Sequence, residues 1–229
     1  MRRLTLVMAG AATALVSVLA AAAAGPRDMP MSESFHGNWH TTKLASGVTY
    51  QASVFPIGLR VTPPDGSWAG AQWKDATWPK VAPFYGWASI DQGGTNPKIE
   101  PRGEIALLTS YARTPSVAAT VATLRTRGHG ATYQATSTTT LGGFPAVQFD
   151  AQITGKSHQF VPFSKPTGKA EPHGDSYDAD QGQVLRIIVA GVRGKTVVVF
   201  MDNLGLPADQ FPAFRAKADA VLKTLKFPG

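Results

Sequence analysis

VLRIIVAGVRGKTVVVFM, residues Val184 to Met201, is the stretch that decides the fold. Two apolar runs, Val184 to Val192 and Thr196 to Met201, meet around Arg193-Gly194 and read as a β-hairpin. Just after it, Phe211, Phe214, Ala218, Leu222 and Leu225 share one helical face, with Arg215, Lys217 and Lys223 pointing outward. A helix is predicted there from about Asp209 to Leu225, with Pro212 tolerable in its first turn. Before the hairpin, Val147, Phe149, Ala151 and Ile153 alternate with Gln148, Asp150 and Gln152. Alternation of that kind predicts a strand over Ala146 to Ile153 with one face buried and one wet.

Further toward the N-terminus, Thr114-Pro115 forms a helix start, and Val117, Val121 and Leu124 follow as a narrow apolar stripe that stops near Gly128. Val48 to Phe55, Leu59 to Thr62, Phe84 to Ile90 and Ile105 to Tyr111 read as strands. A tryptophan-rich loop is expected after Pro63-Pro64-Asp65-Gly66, and a long Gly/Pro/Asp-rich excursion over 155–182. Strand, turn, strand and helix occur at about 84–127 and again at about 184–225, a faint internal repeat. Antiparallel strands with two helices predict an α+β fold, a sheet with helices packed on it.

The first residues carry a different message. Arg2-Arg3 precede an apolar run from Leu4 to Leu19, and Ala20 to Ala24 supply small residues before Gly25-Pro26. This is the pattern of a secretory signal peptide over residues 1–24, cleaved near Ala24, and it predicts a secreted, extracytoplasmic protein. Residues 25–46 read as a flexible lead-in, and 47–229 as a single domain. Roughly 200 residues suffice for a full core without disulfides. The 229-residue chain contains no cysteine, which excludes thiolate nucleophiles and thiolate metal sites and suits a bacterial envelope protein. The formal charge of +7 comes from scattered residues, so no nucleic-acid site is expected. No later stretch is apolar enough to form a transmembrane span in the mature chain.

Four local patterns carry a family likeness: Phe55-Pro56-Ile57-Gly58, Leu141 to Val147, Arg193 to Val199, and the closing helix from Phe211 to Phe227. Together they resemble the PsbP-like superfamily, which includes photosystem II PsbP and LpqN-type exported bacterial proteins. The resemblance spans roughly 48–227 and rests on hydrophobic spacing and turns. It implies an α/β/α sandwich with a central antiparallel sheet flanked by helices. It also implies a non-enzymatic binding or accessory role. No cofactor is expected. The chain departs from the lipoproteins in lacking a lipobox cysteine, and its tryptophan cluster has no counterpart in the family pattern.

That cluster holds the candidate ligand-binding residues: Trp68, Trp73, Trp78, Tyr85 and Trp87. Two roles fit them. Flat rings can stack on sugar faces or grip an apolar ligand, or they can pin an irregular loop onto the sheet. Other patterns are weaker. Asp178-x-Asp180 opens like a calcium loop, but Gly182 fills the next ligand position and no bidentate Glu follows. His36 and His40 have metal spacing without a third ligand, and no metal site is predicted. No Gly-x-Ser-x-Gly elbow or Ser-x-x-Lys pair is present, and no catalytic residue is assigned. A dispersed triad of a Ser with His158 and Asp150 stays open as the hydrolase alternative. The expectation is an exported, non-enzymatic binding or accessory protein of the bacterial envelope, its partner a glycan, a lipid or a protein. The other alternative is a structural subunit of an envelope complex.

Overall fold

In a computed structural model, the described residues are 25–31, 41–73, 85–92, 103–110, 114–126, 130–163 and 177–229, with backbone alone for 73 and 85–92. The strands begin with β1 (Arg27–Asp28), β2 (Thr42–Lys43), β3 (Tyr50–Gln51), β4 (Arg60–Val61) and β5 (Trp68–Trp73). Then come β6 (Tyr85–Gln92), β7 (Gly103–Ser110), helix α1 (Val117–Thr126), β8 (Ala131–Tyr133) and β9 (Ser137–Leu141). The rest are β10 (Phe144–Ile153), β11 (Ser157–Phe160), β12 (Tyr177–Asp180), β13 (Val184–Val192), β14 (Lys195–Asp202) and helix α2 (Phe211–Leu222). A 3-10 turn, Ala208–Gln210, leads into α2.

Among the described residues the main sheet runs β2-β5-β6-β7-β14-β13-β10-β8, with β9 also on β10. Its neighbours are all antiparallel. The predicted hairpin is its centre. Val189 pairs with Val198, and the two-residue turn places Arg193 at φ 50° and Gly194 at φ 77°. Two positive φ angles make the mirror-image turn whose twist suits a hairpin.

Both faces of this centre are buried, which is why its strands are nearly unbroken apolar runs. On one face Val197, Val199 and Met201 of β14 join Ile105 and Leu107 of β7 and Phe214, Ala218 and Val221 of α2. On the other, Val198 and Phe200 join Phe149, Ala151, Ile187 and Val189, under Leu124 of α1. The fold is therefore α+β, an antiparallel sheet between two helices. Gly103 brings α2 close: a Cβ there would land inside the Phe214 ring.

Four expectations change. Trp68–Trp73, read as loop, is β5, hydrogen-bonded between β2 and β6. Within the 155–182 excursion, β11 and β12 pair as a separate ribbon, because His158, Phe160, Tyr177 and Ala179 alternate inward. The lead-in contributes β1, parallel to β3, and β2, with Met29 and Leu44 buried in the core. Conversely, the run predicted from Val48 to Phe55 has ladder pairing only at Tyr50–Gln51, where Ala52 and Phe55 close a turn instead.

Candidate functional site

The two helices meet the sheet differently, and the reason lies in their stripes. Helix α2 buries Phe211, Phe214, Ala218, Val221 and Leu222. Helix α1 buries only Thr120 and Leu124, while Val117 and Val121 stay half-exposed. A stripe this narrow seats a helix along one edge and leaves the space beside it unfilled. The result is a groove of about 770 Å³ between α1 and the sheet. Val117, Ala118, Val121 and Ala122 form the helix wall, and Tyr133 and Val147 form the sheet wall. That volume lies within the roughly 300–1,000 Å³ of small-ligand sites, which are mostly apolar with a few placed polar groups.

The polar groups gather at one end. Arg125, in the last turn of α1, places its guanidinium 5.7 Å from the centre of the Phe149 ring. One of its nitrogens donates to the Gln134 carbonyl at 3.3 Å, leaving further N–H donors for an anion. The Tyr133 hydroxyl donates to the Leu124 carbonyl at 3.0 Å and lies 3.4 Å from His158 Nε2. Burial pushes the Tyr133 hydroxyl pKa up and the His158 pKa down, so both are neutral at physiological pH. Among the described residues, Arg125 gives this end of the groove a positive charge.

Of the sequence-predicted site residues, Trp68 alone has a described side chain, and it sits elsewhere. Trp68 is 0% exposed, inside the α2-side core, its ring 6.4 Å from Phe214. It packs a strand, not a loop, against α2. Its indole N–H has no hydrogen-bond partner among the described residues. Trp73 and Trp87 are register partners across β5 and β6, and Tyr85 lies opposite Ser110 across β6 and β7. Their side chains, and all of Trp78, lie outside the described residues, as do His36, His40, His129 and the acidic segment 171–176. Of the calcium-like pair, Asp178 and Asp180 fall on the exposed side of β12.

The postulated triad is not assembled. Asp150 faces the α2 side, where its carboxylate accepts two hydrogen bonds from Arg186, at 2.7 and 2.9 Å, and lies 3.7 Å from Arg215. His158 lies on the opposite side of the sheet, edge-on to Phe160 at 4.3 Å in the α1-side core. The sheet separates the imidazole from the carboxylate. The groove itself was missed by sequence reasoning, since its walls come from residues 117–147 on three elements; its only trace was the thin α1 stripe.

Among the described residues no group of three or more His, Asp or Glu side chains is placed to hold a metal ion. No helix among them is long and apolar enough to cross a membrane. No protein-family model matches the chain, and no curated protein matches it. Among solved structures it is similar to the solution structure of cyanobacterial PsbP (CyanoP) from Synechocystis sp. PCC 6803. The similarity covers 81% of this chain and 94% of that one, at 10% sequence identity and a TM-score of 0.44.

Proposed function

We propose that this is an exported, non-enzymatic binding protein of the bacterial cell envelope, and that the groove beside α1 takes the apolar chain of an anionic lipid. The groove carries the reading: apolar walls from Val117, Val121 and Val147, with the Arg125 guanidinium at its end. An acyl chain buried along such walls gains about 0.8 kcal/mol per methylene, and a headgroup anion complements the guanidinium. The signal-like segment at residues 1–24 supports export. The separation of His158 from Asp150 across the sheet removes the one hydrolase arrangement that had residues to its name.

Titration of the chain lacking residues 1–24 with a dansylated undecanoate tests this. Ala122, exposed on the groove wall, is replaced by Trp to fill the space without touching the core. Fluorescence enhancement in the native protein, weakened at least tenfold in Ala122→Trp at unchanged thermal stability, supports the reading. Equal binding by the two proteins overturns it.

A further inference from the structure

On the α1 side of the sheet, the end of β14 buries a polar cluster that the groove does not use. Asp202 is 0% exposed. Its Oδ1 accepts the Leu204 backbone N–H at 2.8 Å, and its Oδ2 accepts the Tyr177 hydroxyl at 3.0 Å. The same hydroxyl stands 3.2 Å from Glu104 Oε2. Glu104 is the direct register partner of Asp202 across β7 and β14. A phenol has one proton to donate, so it cannot satisfy two ionised carboxylates at once. One added proton resolves the conflict. A protonated Asp202 donates to the Tyr177 oxygen, and Tyr177 donates to Glu104.

The cluster also fastens something. Tyr177 is the first residue of β12, and its ring stacks on Phe200 of β14, 4.5 Å between centroids and 7° between planes. Phe160 of β11 packs on the same Phe200 ring at 5.5 Å. The β11–β12 ribbon extends the β10–β13 pair, and its base is tied by the bonds from the Ile153 N–H to the Gln183 carbonyl and from the Gly182 N–H to the Ile153 carbonyl, both 2.9 Å; further out, among the described residues, side chains hold it against the main sheet. We propose that Tyr177, Asp202 and Glu104 form a proton-operated clasp: protonated, it holds the β11–β12 ribbon shut on the sheet; deprotonated, it lets the ribbon open and uncover the Phe160–Phe200 contact.

The charged surroundings agree. Burial raises the Asp202 pKa to about 6 against the hydrogen bonds from the Leu204 N–H and the Tyr177 hydroxyl, which lower it, and the negative charge of Asp180 on β12 adds to the rise. Burial and both carboxylates hold the Tyr177 pKa well above its usual range, so Tyr177 keeps its proton throughout. Glu104 from β7 and Tyr177 from β12 face the cluster, Asp180 on the exposed side of β12 acts on it through its charge alone, and Asp91 of β6 is in register beside Glu104. His158 of β11 is turned to Tyr133 instead. Among the described residues Asp202 has no cationic partner. A carboxyl whose pKa is raised by folding favours the closed state below its ordinary range near pH 4. That advantage fades as pH rises through about 6.

Amide hydrogen exchange read by mass spectrometry on the full chain, at pH 5 and 7.5 and corrected for intrinsic rates, tests the clasp. The ribbon peptides over 157–163 and 177–183 should open about tenfold more at pH 7.5, as a pKa moved from near 4 to about 6 requires. Asp202→Asn, a permanent mimic of the protonated acid, should abolish the difference and keep the ribbon closed at both pH values. Glu104→Gln removes the competing carboxylate and should move the transition to lower pH, which keeps the test alive if Asp202→Asn does not fold. A ribbon whose corrected opening is the same at pH 5 and 7.5, or a dependence unchanged in both variants, overturns the proposal.

Discussion

Replacing Trp68 separates a ring that binds from a ring that packs. The indole is 0% exposed between β5 and α2, with Phe214 as its aromatic neighbour. Truncation to Ala removes a buried aromatic side chain and leaves a cavity that a sheet and helix cannot close, a loss of about 3–5 kcal/mol. Against a total stability of roughly 5–15 kcal/mol this is severe. At about 2–4 °C per kcal/mol for a domain of this size, the melting temperature should fall by roughly 6–20 °C. Trp68→Phe behaves differently. It shrinks the side chain but also removes a buried N–H that finds no acceptor among the described residues. Since leaving a buried donor unsatisfied costs about 1–3 kcal/mol, its removal offsets much of the lost volume, and Trp68→Phe should cost less than half of what Trp68→Ala does. Urea unfolding followed by far-UV circular dichroism reads both. A cost below 1 kcal/mol for Trp68→Ala, or equal costs for the two variants, would refute the packing account.

Four further outcomes follow from the same packing and hydrogen bonding. Asp202→Asn should raise global stability at pH 7.5 by at most about 3 kcal/mol and change little at pH 4, because the buried acid favours the fold only while protonated; parallel urea titrations at the two pH values give the sign. Asp150→Ala strips Arg186 of its bidentate partner and should cost about 1–3 kcal/mol, measured by chemical unfolding, with Arg186→Met in the same background recovering part of the loss. Gly103→Ala should cost roughly 1–3 kcal/mol, since the new Cβ displaces the Phe214 ring and with it α2. Arg193→Asn should gain roughly 0.5–1 kcal/mol by easing a positive φ at the first turn position, visible as slower unfolding in stopped flow.

What could be read from the residues, and what could not, divides along physical lines. β10 and both helices announce themselves because their burial is periodic, the β13–β14 hairpin because its apolar runs are nearly unbroken, and their ends carry turn residues, Arg193-Gly194 and Thr114-Pro115 among them. Strand β5 hides because Trp-Ala-Gly-Ala-Gln-Trp alternates nothing and contains no β-branched residue; its pairing with β2 and β6 makes it a strand. Gln72 shows the same dependence on tertiary partners. Its side chain donates to the Met29 carbonyl at 2.7 Å and accepts from the Val54 N–H at 3.0 Å, tying the N-terminal segment down. The β11–β12 ribbon hides too, because four-residue strands in a polar stretch form only once Phe200 gives Phe160 and Tyr177 something to pack on. The groove and the clasp are further still from the linear pattern. Val117 and Val147, or Tyr177 and Asp202, meet only when the sheet is assembled. The tryptophan cluster drew attention because indole is rare and large, yet size argues for burial as strongly as for binding, and Trp68 is buried.

The groove reading stands or falls most directly on methyl NMR. In a sample labelled at valine methyls and arginine side chains, dodecanoate is titrated into the chain lacking residues 1–24. The account predicts that Val117, Val121 and Val147 shift together with the Arg125 side chain, while Val197 and Val221, in the α2-side core, stay fixed. Shifts confined to the α2 side, or a spectrum unmoved at millimolar dodecanoate, would contradict it.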